Sequence, residues 1–188
     1  MFRRFFGSAA SAVAEPTMTA SQTQAAGETA TVRRIVARLE AMPPERARLL
    51  ASAAYTLARA AHADLDISDL ETAAIEAELQ REGSIDEATA VLITQMAKLQ
   101  ANTVGGTEDY VVTREFKALA SEAHRLDVLR GCFAISAASG SISAEETAVL
   151  NQIADELDID AATLNTIRAE YHERMSAVQR IRQVSGGS

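Results

Sequence analysis

The sequence predicts an all-α fold: a single helical bundle of about seven helices, built from two pseudo-symmetric helix–turn–helix halves. Three observations predict it. Ala, Leu, Glu and Arg are abundant while aromatics make up 4 % of the chain and Trp is absent, a stock of helix formers without the β-branched and aromatic runs of strands. Only 3 Pro occur, two of them adjacent, so helices can run long without interruption. The third observation is a short segment, helix end, turn and capped helix start, that recurs 75 residues further on (63 to 138).

Residues 1–31 hold mainly Ala, Ser, Thr, Gln and Gly and bury too little to order themselves, so a flexible segment is expected there, followed by one domain over 32–184 and a loose tail at 185–188. Within the domain, Val32, Ile35, Val36 and Leu39 have helical spacing, and Pro43-Pro44 breaks that helix and opens the next. Helices are then expected over about 44–62, 69–82, 85–102, 108–121, 123–138 and 144–157, and from just after Asp160 to about Val184. Gly83 and Gly140 act as stops, and 104–107 (VGGT) is a loop. Three starts share the S-x-x-E capping box, at Ser68–Glu71, Ser84–Glu87 and Ser143–Glu146. In this motif the Ser hydroxyl accepts from the third helical amide and the Glu reaches back to the Ser amide.

The repeat pairs Ala63 with Ala138, Ile67 with Ile142, Ser68 with Ser143, Glu71 with Glu146, Thr72 with Thr147 and Ala73 with Ala148. The first copy reads Ala63-Asp64-Leu65-Asp66-Ile67-Ser68-Asp69-Leu70-Glu71, the second Ala138-Ser139-Gly140-Ser141-Ile142-Ser143-Ala144-Glu145-Glu146. This pair resembles the A-D-G-x-I-x-x-x-E turns of the TerB-like (tellurite resistance protein B) family, over about residues 44–175. The first copy departs from the pattern at Leu65, in place of Gly, and the second at Ser139, in place of Asp. The resemblance implies an all-helical bacterial protein linked to tellurite resistance and metal stress, with a divalent cation (calcium, magnesium or manganese) at the acidic turns. It also implies protein partners in a membrane-associated complex at the inner membrane.

The residues themselves offer two readings of the acids. Between Arg59 and Arg81 stand Asp64, Asp66, Asp69, Glu71, Glu76 and Glu78 with no Lys or Arg. Between Arg130 and Arg168 stand Glu145, Glu146, Asp155, Glu156, Asp158 and Asp160, again with none. Crowded carboxylates repel, and a hard cation relieves that repulsion. If the two turns approach one another, Asp64, Asp66, Glu71, Glu145 and Glu146 are the candidate ligands. The plainer reading makes Glu71 and Glu146 capping-box partners, Asp69 and Glu145 first-turn anions favoured by the helix dipole, and the rest a solvated face. Asp64-Leu65-Asp66 is not the opening of an EF-hand, which needs Gly at the sixth position and Glu at the twelfth, where this chain has Asp69 and Ile75. His62 reads as a helix-terminal residue bonding the last carbonyls or as an extra ligand, and His124 and His172 as solvent-facing.

The formal net charge is −8. Residues 1–42 carry five Arg and three Glu (+2), and the remainder 13 Lys and Arg against 23 Asp and Glu (−10). An acidic body repels phosphate backbones, so no nucleic-acid partner is expected. The one cysteine, Cys132, lies in an apolar run and reads as core in a reducing compartment. No run approaches a membrane span, and the start MFRRFF is too short for a signal h-region, so a cytoplasmic protein is expected, with Phe2, Phe5 and Phe6 beside Arg3 and Arg4 as a peripheral membrane contact. P-loop, GxGxxG, HExxH, GxSxG and CxxC motifs are absent, so neither an enzyme nor a small-molecule substrate is expected. The alternative function is a protein-interaction adaptor, whose mark would be an exposed apolar groove between helices.

Overall fold

Helix-forming composition and buried caps produce an all-helical bundle. The structure, a computed structural model, describes residues 37, 40–64, 67–83, 85–103 and 107–185. These form eight α-helices: α1 Pro44–Ala61, α2 Asp69–Gly83, α3 Glu87–Thr103, α4 Thr107–Leu119, α5 Glu122–Ser136, α6 Ala144–Glu156, α7 Ala161–Glu170 and α8 Ser176–Ser185. Two 3-10 turns lie at His62–Asp64 and His172–Arg174. Of the segment before Pro43, Ala37, Glu40 and Ala41 are described and helical. The flexible segment expected at 1–31, the VGG of the 104–107 loop and the tail beyond Ser185 lie outside the described residues.

The central helix is α1. Every residue from Ser52 to Ala61 is buried, and α1 touches α2, α3, α4, α5 and α6. A helix buried all round needs small side chains so that several neighbours can approach together, which the alanines at 53, 54, 58, 60 and 61 supply. The larger core side chains come from the surrounding helices: Ile75, Phe116, Leu129, Phe133, Ile135, Leu150, Ile153 and Ile167. Cys132 joins this core as expected, and burial pushes its thiol up to about 12.

The internal repeat survives folding. α1 ends at Ala61 and α5 at Ser136, and α2 begins at Asp69 and α6 at Ala144, so both boundaries keep the offset of 75 (136 − 61 and 144 − 69). Leu49 and Leu50 share a cavity wall with Asp127 and Val128, while Thr56 O accepts from Cys132 Sγ at 3.9 Å. Contacts therefore advance along both helices together: α1 and α5 run side by side in one direction, and both turns leave the bundle at the same end.

Two expectations are corrected. The helix expected from Asp160 to about Val184 is two helices. Ile142 N–H donates to Arg174 O at 2.7 Å and Ser176 N–H to Ile142 O at 2.9 Å, a parallel bridge that holds Met175 extended and turns the chain between α7 and α8. Two tertiary hydrogen bonds thus override a helical pattern. The cap of α3 is also displaced. The helix begins at Glu87 rather than at 85, and Asp86 Oδ1 accepts from Thr89 N–H at 3.1 Å, which puts a carboxylate at the cap. Ser84 itself lies outside the described residues.

Candidate functional site

The two turns form the candidate site. Each is built by the same local chemistry. In the second turn Ser143 Oγ accepts from Glu146 N–H at 3.0 Å and Glu146 Oε2 accepts from Ser143 N–H at 2.7 Å. In the first, Ser68 Oγ accepts from Glu71 N–H at 3.2 Å, and Glu71 Oε2 accepts from Ser68 N–H at 2.8 Å and from Ser68 Oγ at 2.7 Å. The adjoining threonines match as well, Thr72 Oγ1 donating to Ser68 O at 2.8 Å and Thr147 Oγ1 to Ser143 O at 2.7 Å. The second turn passes through Gly140 at φ +111, in the left-handed region where a Cβ is strained. The equivalent Leu65 lies outside the described residues.

Ser143→Ala is expected to cost about 1 kcal/mol by removing the cap of α6. A guanidinium denaturation midpoint that moves accordingly at constant m-value is the measurement, and an unchanged midpoint would show that the hydroxyl is dispensable.

The five candidate ligands stand as follows. Glu71 and Glu146 are 4 % and 3 % exposed and hold their capping boxes. Glu145 is exposed in the first turn of α6. Asp64 closes the 3-10 turn, but its side chain, like the whole of Asp66, lies outside the described residues. The 3-10 turn packs against α6, so elements of the two halves do meet here. Among the described residues no group of three or more His, Cys, Asp or Glu side chains is placed to hold a metal ion. Both cap bonds of Glu71 fall on Oε2. Lys98 Nζ donates to Thr72 Oγ1 at 2.8 Å, so one positive charge already stands at this end.

Two buried polar atoms at the ends of the helices that enter the turns lack a hydrogen-bond partner: His62 Nδ1, at the C-cap of α1, and Ser136 Oγ, in the last residue of α5. The His62 backbone N–H donates to Ala58 O, and the ring Nδ1 bonds no helix carbonyl. His124 and His172 are exposed, as expected.

Sequence reasoning missed a buried ion pair. Arg59 lies in α1 with its side chain 7 % exposed. Its Nη1 donates to Glu156 Oε2 at 2.6 Å and to Thr113 Oγ1 at 3.1 Å, and Nη2 to Glu156 Oε1 at 3.1 Å. Asp109 Oδ2 lies 3.7 Å from Nε, and Asp109 Oδ1 accepts from Tyr55 OH at 2.7 Å. Burial first, then the hydrogen bond to Asp109, pushes the Tyr55 phenol above its ordinary value. The signal was available: an arginine between Ala58 and Ala60, on a helix whose other residues read as core, must carry its counter-ion with it. Lys117 likewise binds Asp158 at 2.8 Å, and Asp160 caps α7 by accepting from Ala162 and Thr163 N–H. With Glu146 in its capping box, four of the six acids in the second window are therefore committed to the fold.

No described helix is long and apolar enough to cross a membrane. No curated protein and no solved structure matches the chain. A family model described as Tellurite resistance protein TerB matches residues 50–169, which is 120 of the 188 residues and takes in both turns and all of α2 to α6.

Proposed function

The chain belongs to the tellurite resistance protein TerB family, and on that footing we propose that it is a non-enzymatic module of the metal-stress response, binding a divalent cation at the turn end of the bundle. The observation that carries this reading is the buried, unpartnered Nδ1 of His62, which opens the turn containing Asp64 and Asp66. A polar atom buried without a partner costs free energy, and a cation held with the carboxylates of that turn gives it one. Glu71 Oε1, the oxygen outside the cap, is the further donor on α2. Glu145 and Glu146 on α6 complete the set drawn from the second half. Calcium and magnesium take oxygen ligands; a nitrogen in the set favours manganese among the three ions. The reading places the protein in the cytoplasm, with protein partners at the inner membrane and without nucleic acid or small-molecule substrate.

The test is the thermal midpoint of the full chain in calcium, magnesium and manganese at constant ionic strength. Binding to the folded state alone contributes RT ln(1 + [L]/Kd), about 1.4 kcal/mol at ten times Kd, which is a rise of a few degrees in a domain of this size. Asp64→Asn lies outside both capping boxes and is expected to abolish the rise, as is His62→Ala. Equal responses of the parent and Asp64→Asn would mean that the ion only screens charge.

A second reading, a protein-interaction adaptor, is favoured by one observation. An apolar groove lies between α1, α3 and α4, lined by Leu50, Tyr55, Ile93 and Val112.

A further inference from the structure

The groove encloses about 440 Å³, and Met96 on its wall is 56 % exposed. Met42, from the segment that precedes α1, is part of the same wall. Read back from Met42 at 3.6 residues per turn, Leu39, Val36, Ile35 and Val32 complete a stripe within about 120° of arc. The described residues of this segment orient it. Ala37, Glu40 and Ala41 are helical and exposed, and they fall on the opposite arc, together with Arg33. Ala37, Glu40 and Ala41 face solvent, and on the same helical wheel the apolar residues share the arc of Met42.

We infer that the groove between α1, α3 and α4 is a docking surface and that its occupant is the chain's own segment 32–42, an amphipathic helix folded back along α1. Pro43, at φ −53 and ψ 132, breaks the helix between the segment and α1. Eleven residues of helix measure about 16 Å, against about 12 Å of α1 from Ala47 to Tyr55 along the groove, so the stripe covers it end to end. Charge agrees: residues 1–42 are net positive and the remainder net negative. Covalent attachment at Pro43 gives the helix a millimolar effective concentration, so a stripe of five side chains holds where the same peptide in solution would not. A partner helix enters this groove only by displacing the resident one. The inference stands apart from the cation site at the turns.

Limited trypsinolysis of the full chain tests it. Docking is expected to slow cleavage at Arg33, Arg34 and Arg38 about tenfold relative to Arg3 and Arg4, because cutting follows the population of the undocked state. Met96→Asp, on the groove wall, is expected to bring those three sites to the rate of Arg4 while Arg168 in α7 stays protected, which reports an intact bundle. Equal rates at Arg38 and Arg4 in the parent, or no acceleration in Met96→Asp, overturns the proposal. Methionine-methyl NMR is the second measurement: Ile35→Asp is expected to shift Met42 and Met96 and leave Met175 in place, and an unmoved Met96 overturns the proposal even if a variant is destabilised. A parent that sediments as a dimer and is made monomeric by Met96→Asp would assign the groove to a second copy instead.

Discussion

Arg59→Ala is expected to lower the unfolding free energy by about 3–5 kcal/mol, the largest loss of any single change at a polar position in this protein. The guanidinium is bound at both terminal nitrogens to a carboxylate that is itself only 6 % exposed. Removing it leaves Glu156 buried with Gln152 Nε2, at 3.0 Å, as its remaining side-chain donor, and leaves Asp109 facing Tyr55 without the nearby positive charge. Desolvation of an unpaired carboxylate dominates the cost, because the net worth of the intact pair is small once both ions have been taken out of water. The double variant Arg59→Met with Glu156→Leu separates these terms and is expected to recover most of the loss. Urea denaturation of parent, single and double variants forms the measurement. If the double variant is as unstable as Arg59→Ala, the pair contributes through specific geometry rather than by cancelling buried charge.

Phe133→Ala is expected to cost about 3–5 kcal/mol, and Phe133→Leu much less. Phe133 is 1 % exposed in α5 and stacks on Tyr171, with ring centroids 5.5 Å apart and planes inclined by 25°. Truncation opens a cavity beside the helix that runs parallel to α1, and it releases the side chain that anchors the corner between α7 and α8. Tyr171 also donates to Arg130 O at 3.4 Å, and this bond and the two backbone bonds to Ile142 are the polar ties the corner keeps when the ring contact is lost. Denaturation followed by far-ultraviolet circular dichroism gives the stability. Tyrosine fluorescence gives the local change, with Tyr171→Phe as the control that removes the hydroxyl and keeps the stack. A loss below about 1 kcal/mol in Phe133→Ala would mean that neighbouring side chains collapse into the space.

The turn end shows why charge windows along a sequence mislead. The stretch from Arg130 to Arg168 reads as six acids without a counter-ion. Folding brings Arg59 to Glu156 and Lys117 to Asp158 from α1 and α4, and Asp160 caps α7. The stretch from Arg59 to Arg81 likewise gains Lys98 at Thr72. Cations distant in the chain are invisible to a local count, and the residual negative field at the turns is smaller than the count implies. Glu71 and Glu146 behave as the capping pattern says, because both partners of a capping box lie within four residues and need no tertiary context.

Helix existence, the caps at Ser68 and Ser143, and the 75-residue offset between the two halves were determined by the sequence alone. Each rests on hydrogen bonds and apolar spacing that act over one or two turns of chain, and local interactions of that range are written into consecutive residues. The break at Met175 was decided only by the tertiary structure, where two backbone bonds to Ile142 outweigh a helical pattern running through it. The burial of Arg59 was decided there too, since its counter-ion Glu156 lies 97 residues away along the chain. So was the common direction of α1 and α5, which puts both turns at one end of the bundle: no local rule states which way two helices separated by three others lie against each other, and only the shared burial of their small and aromatic side chains selects it.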